Sequence, residues 1–154
     1  MALVIFYQLG QSSVEETARA LLGKSRAAGW RVMLRGTSQT SLDYLDEELW
    51  KGSPECFLPH GLAQNDHATL QPIMLGTGIA PENMQALMLV DGAAFEASEA
   101  RQMARVMILF DGQNKTILNI ARGQWKEALA LGVKAQYWSE SLGRWELKLT
   151  RESV

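Results

Sequence analysis

The sequence predicts an α/β protein with three layers, α/β/α, around a mostly parallel open sheet. Three observations predict it. Apolar runs of strand length alternate along the chain with amphipathic stretches of helix length. The strongest runs, LVIFYQL at Leu3–Leu9 and RVMILF at 105–110, are continuously apolar, as strands covered on both faces are. Serine and glycine stand where helices should begin and end.

The elements follow in order. Leu3–Leu9 is a buried strand, and residues 10–13 turn the chain. Ser13 and Glu16 form a capping box that opens a helix to about Ala28, with Val14, Ala18, Leu21, Leu22 and Ala28 as its apolar positions and Gly29 as its stop. Residues 31–35 (RVMLR) are a second strand. Residues 41–50 form a helix with Leu42, Leu45 and Leu49 on one face, ended by Gly52-Ser53-Pro54. Residues 54–72 read as a loop holding Pro59, Pro72 and both histidines. Strands are expected at 73–75 and 86–90, a short helix at 97–103 and a strong strand at 105–110. A helix spans 116–131, closed by Gly132, and residues 134–139 and 144–149 form a closing hairpin around Leu142-Gly143. The order suits a Rossmann-like sheet in a single domain over residues 1–154, with no repeat or linker to divide it.

Composition narrows the function classes. The chain has 154 residues, 47% apolar and 21% charged, enough to bury a core without disulfides or metals. One cysteine, Cys56, permits no intrachain disulfide and suits a reducing cytoplasm. No apolar run reaches a membrane span, and the N-terminus lacks the basic region of a signal peptide. The net charge of −2 argues against a bulk nucleic-acid binder. That charge is uneven: residues 1–40 carry +3, residues 41–99 carry −9, and residues 101–151 carry +5. If these thirds lie on different faces, one side of the protein is electropositive.

Catalytic patterns are missing. The first strand–turn–helix is where a nucleotide fold puts its phosphate loop, yet it contains neither GxxxxGK[ST] nor GxGxxG. Glu15 and Glu16 occupy the helix N-terminus that a phosphate would want. Gly76-Thr77-Gly78 reads as a turn, and a Cys56/His60 nucleophile pair lacks a third group to orient it. No zinc spacing exists, so neither a metal nor a cofactor is expected. Asp43, Asp46, Glu47 and Glu48 read as a solvated helix face.

Two stretches carry more information. On the last helix, Ile117, Ala121, Gln124, Ala128 and Leu131 form a core stripe with Ile120 beside it. A second stripe of Leu118, Arg122, Trp125 and Leu129, with Lys126 at its edge, lies roughly 120° away. Either Trp125 is a partly exposed anchor framed by two cations, or it packs under the closing hairpin (Tyr137, Trp138, Trp145) with the cations floating above. An apolar dent rimmed by Arg and Lys suits an apolar side chain next to a carboxylate, and it also suits a stacked base. The other stretch is the Phe57-Leu58-Pro59 run in the middle loop. It either folds onto the core or presents Phe57 to a partner.

In order along the chain stand Phe6-Tyr7, LDEELW at 45–50, FLPHGL at 57–62, RVMILFDG at 105–112, Ala121-Arg122…Trp125-Lys126, and Tyr137-Trp138…Gly143-Arg144-Trp145. This combination resembles the chi subunit family of bacterial DNA polymerase III, over nearly the whole chain. LD-x-x-LW followed by F-x-PH is its most specific pair. The resemblance implies a sheet related to nucleotide-binding folds but without a nucleotide site. It also implies a non-catalytic accessory subunit of the clamp-loader assembly, part of a DNA-directed DNA polymerase. It implies binding to the acidic, phenylalanine-ending C-terminal tail of single-stranded-DNA-binding protein, with DNA contacted only indirectly. A second surface would meet the psi subunit or a helicase. By position, Arg122 would pair with the tail's terminal carboxylate, Trp125 would wall the slot for its last ring, and Lys126 would meet its acidic residues, with Leu118 and Leu129 alongside. Phe57, Leu58 and His60 would belong to the second surface. Leu118 stands where the family can offer a cation, and Gly123-Gln124 interrupts an often charged segment, so tail binding should be weaker and depend less steeply on salt. Two competing readings are an α/β nucleotide-using enzyme or hydrolase with a degenerate motif, and direct single-strand DNA binding through the basic C-terminal third.

Overall fold

A computed structural model describes residues 3–51, 60–62, 72–81, 83–141 and 144–151, with the Trp50 side chain left aside. Twelve elements alternate along it: β1 (Leu3–Leu9), α1 (Val14–Ala27), β2 (Val32–Arg35), α2 (Gln39–Trp50), β3 (His60–Leu62), β4 (Ile73–Gly76), β5 (Ala86–Leu89), α3 (Ala97–Gln102), β6 (Arg105–Asp111), α4 (Lys115–Ala130), β7 (Lys134–Ser141) and β8 (Arg144–Arg151). The strands form one sheet in the order β3-β4-β2-β5-β6-β1-β7-β8. Every pairing is parallel except that of β7 with β8. The architecture is therefore α/β, with an open, mostly parallel sheet between two helical layers.

Side-chain alternation sends each strand into two cores. Val4, Phe6, Val106, Ile108 and Phe110 meet Ala100, Ala121 and Ala128 on the α3/α4 side. Leu9, Leu34, Met107 and Leu109 meet Ala18, Leu22, Leu42, Leu45 and Leu49 on the α1/α2 side. Because β6 is covered on both faces, it reads as an unbroken apolar run. The acids Asp43 and Glu47 of α2 and the cations Arg122 and Lys126 of α4 are exposed, on opposite sides of the sheet.

Local signals are realised at the helix ends. Ser13 Oγ accepts from the Glu16 N–H at 3.1 Å, and Asn114 Oδ1 accepts from the Ile117 N–H at 3.2 Å. Gly29 and Gly132 take φ of +80° and +75° just past α1 and α4, which a residue with a Cβ resists. Among the described residues of the stretch read as a loop over 54–72, residues 60–62 form a strand, β3, which the sequence did not signal. Three residues carry no usable period, and β3 exists because it pairs with β4. The closing turn at 142–143, along with Cys56 and His67, lies outside the described residues.

A buried ion pair pins the C-terminal ends of the central strands. Arg35 of β2 reaches Glu99 of α3 with Nη1–Oε1 at 2.9 Å and Nη2–Oε2 at 2.6 Å. Its Nε donates to the Gly78 carbonyl and its second Nη1 N–H to the Ala94 carbonyl, at 2.8 Å each. Burial pushes the Glu99 carboxyl upward, but the Arg35 bonds and charge and the Glu96 and Ala80 N–H groups outweigh it and hold it below the ordinary range. Gly76-Thr77-Gly78 is accordingly a structural turn whose last carbonyl serves Arg35.

Candidate functional site

Helix α4 packs on β6, β7 and β1. Ala121, Gln124 and Ala128 are its buried face, and the Gln124 amide donates to the Ala93 carbonyl at 2.8 Å. Ile117 and Leu131 are half-buried behind them. Ile120 departs from expectation and is 40% exposed. It leans over the Gly92 turn, where a Cβ on Gly92 would meet its Cδ1 at 3.1 Å, instead of entering the core.

Trp125 combines features of both arrangements that the helix pattern allowed. It is half-buried, with its ring seated edge-on against Phe6 of β1 (centroids 5.4 Å) and Tyr137 of β7 (5.9 Å). Tyr137 in turn stacks on Phe6 at 6.3 Å and meets Phe110 edge-on at 6.0 Å. Trp138 and Trp145 take no part, because alternation along β7 and β8 turns them toward α1. The indole therefore has a rigid bed on one side and an accessible flank on the other. Arg122 and Lys126, three residues before and one residue after Trp125 on the same helix, are exposed. Burial raises the Tyr137 hydroxyl above its ordinary pKa of 10.0, and the nearby Arg122 charge pulls the other way. Arg122 is thus within electrostatic reach of the aromatic bed. Neither cation is paired with a carboxylate among the described residues. Leu118 is half-buried on the core edge, and Leu129 is 39% exposed.

The residues expected at a second surface fare differently. Phe57 and Leu58 lie outside the described residues. His60 is 2% exposed and faces α2. Its Nε2 lies 3.0 Å from the Asp46 carbonyl oxygen and 3.3 Å from the Asp46 carboxylate. Both neighbours are acceptors, so Nε2 carries the proton and the ring ties β3 to α2.

The position that binds phosphate in related sheets is already filled. Glu140 of β7 reaches into the turn between β1 and α1, where its Oε1 accepts from the N–H groups of Gly10, Gln11 and Ser12 at 3.0, 3.0 and 2.9 Å. Its Oε2 accepts from the Ser12 hydroxyl at 2.6 Å. The Ser12 hydroxyl first, and then the backbone N–H groups, hold the carboxyl below its ordinary range. The fit requires Gly10, since a Cβ there would stand 2.7 Å from the Glu140 carbonyl oxygen. Sequence reasoning missed this residue. Its one signal was an acid within an otherwise aromatic and polar strand.

No group of three or more potential metal ligands occurs among the described residues, and no described helix is long and apolar enough to cross a membrane. The sequence profile of the family described as DNA polymerase III chi subunit, HolC, matches residues 1–136. The chain belongs to the DNA polymerase III chi subunit family. It is therefore an accessory subunit of that polymerase, a protein of DNA replication. No curated protein matches the sequence. The chi match includes Arg122, Trp125 and Lys126 and ends within β7, so Tyr137, Trp138 and Trp145 lie beyond it.

Proposed function

We propose that this chi-family chain, itself non-catalytic, links the polymerase's clamp-loader assembly to single-stranded-DNA-binding protein in the cytoplasm by gripping that protein's acidic C-terminal tail. Arg122 forks onto the terminal carboxylate and Trp125 walls the slot for the last aromatic ring. Lys126 meets the acidic residues upstream, with Leu118 and Leu129 bordering the slot. The supporting observation is the seat of Trp125. Its ring is held by Phe6 and Tyr137 and is only half-buried, and Arg122 and Lys126 on the same helix are exposed. An anchor immobilised before binding loses little entropy on binding. A second contact, to the psi subunit or a helicase, is assigned to Phe57 and Leu58, with His60 anchoring β3 and not itself the contact.

The test is fluorescence polarisation with a labelled acidic peptide ending in phenylalanine. Truncating a buried aromatic anchor costs on the order of 2 kcal/mol, so Trp125→Ala should weaken binding about 30-fold. Arg122→Ala should do at least as much, and a peptide lacking its last residue should not compete. Lys126→Ala should flatten the salt dependence, with its loss greatest at low salt and fading as salt rises. Unchanged binding by the Arg122→Ala/Trp125→Ala double variant removes the site.

A further inference from the structure

The α1 side of the sheet holds a groove that the tail site does not use. Helix α1 forms one wall and β1, β7 and β8 form the floor, enclosing about 640 Å³. That volume lies within the range of small-molecule sites. Tyr7, Trp138 and Trp145 come up from three adjacent strands, and each is only half-buried. Tyr7 and Trp145 meet edge-on with centroids 5.7 Å apart, and the Trp138 indole N–H donates to Gln136 Oε1 at 3.1 Å. The rings are therefore tied to neighbouring groups, and part of each stays accessible along the groove.

The charge of the groove is lopsided. Arg105 of β6 and Lys24 of α1 both line it. Neither has a carboxylate partner among the described residues. The Arg105 guanidinium lies over the Trp30 ring at 5.1 Å, and its Nε is shielded from solvent with no hydrogen-bond partner among the described residues. A shielded donor without an acceptor is costly unless something supplies one. Glu16, the acid on the lining, is turned to its capping role with Ser13. The other natural anion position, the turn after β1, is taken by Glu140. An incoming anion is thus directed to the Arg105 end. Arg105 pairs in register with Leu3, and Tyr7 and Trp138 stand four residues further along. At ~3.3 Å per residue the two ends are about 13 Å apart along the strands, spanned in part by the arginine and tyrosine side chains.

We propose that this groove binds a small planar aromatic anion, its ring against Trp138 and Trp145 and its carboxylate or phosphate on Arg105 and Lys24. Stacking on the indoles supplies area, and the two cations supply selectivity for charge. The site is separate from α4, so it stands or falls independently of tail binding.

The experiment follows the indole N–H resonances of the full chain during titration, using indole-3-propionate and adenosine monophosphate as probes. Their uncharged counterparts, 3-methylindole and adenosine, are the controls. The proposal expects saturable shifts at Trp138 and Trp145, with Trp125 unmoved, for at least one anion. Response to the carboxylate alone or the phosphate alone names the source. Arg105→Gln should weaken that binding at least tenfold. Lys24→Gln, an exposed helix position that leaves the core untouched, should weaken it less but measurably. Absence of shifts with both anions at millimolar concentration overturns the proposal. So does equal binding of the uncharged counterparts, or unchanged affinity in both variants.

Discussion

Replacing Glu140 with glutamine tests how a turn built like a phosphate site is held shut. The native carboxylate receives three backbone N–H groups and one hydroxyl, at 2.6–3.0 Å. Hydrogen bonds to a charged acceptor contribute about 1.5–3 kcal/mol, against about 1 for neutral pairs. A glutamine amide keeps one acceptor but loses the charge and presents an NH₂ where Ser12 donates. The turn reaches solvent, which discounts the difference. The expected loss is therefore about 1–2 kcal/mol at neutral pH, or a fall in Tm of roughly 3–6 °C for a chain of this size. The sign of its pH dependence is determined. The folded carboxyl is held below its ordinary value of 4.5. Its contribution is present in full above that value and is lost as pH falls through the folded pKa. The gap between wild type and Glu140→Gln should hold steady from pH 7 to about 5 and then narrow in acid. Thermal melts followed by circular dichroism at stepped pH measure this. A gap that stays constant into strong acid, or no gap at pH 7, refutes the reasoning.

Other perturbations probe the remaining features. Arg35→Met or Glu99→Leu alone strands a buried charge and should cost about 3–5 kcal/mol, while the double variant should be the more stable. Urea unfolding measures both, and a single-variant loss below about 1 kcal/mol would mean that the pair behaves like an exposed one. Gly10→Ala should lower stability by about 1–3 kcal/mol through the clash with the Glu140 carbonyl, and an unchanged melting temperature would show that the turn can shift. A gel shift with single-stranded DNA and no partner protein should show no complex at physiological salt, because the net charge is −2. A complex there would favour direct DNA binding.

Much of the fold was legible because its signals are local. The β1 and β6 runs, the Ser13 cap and the glycine stops each act within a few residues, and the elements they announce agree with the structure to within two residues at each end. β3 was not legible, since nothing local makes His60-Gly61-Leu62 a strand. His60 looked like a loop residue for the same reason, and its bond to Asp46 exists only once α2 and β3 are adjacent. The helical wheel identified the Arg122, Trp125, Lys126 stripe but could not say how deep Trp125 sits. That depth depends on Phe6 and Tyr137, which approach from two other strands.

Residue order alone thus established the layered α/β class, the lack of a phosphate loop, the charge asymmetry and the family resemblance, all properties of neighbouring residues or of short motifs. Folding decided which distant segments meet: the aromatic bed beneath Trp125, the Glu140 carboxylate in the first turn, the Arg35–Glu99 pair and the open groove beside α1. Each of these brings together residues far apart in the chain. Strand order and side-chain alternation bring them into contact, and neither is encoded in any one segment.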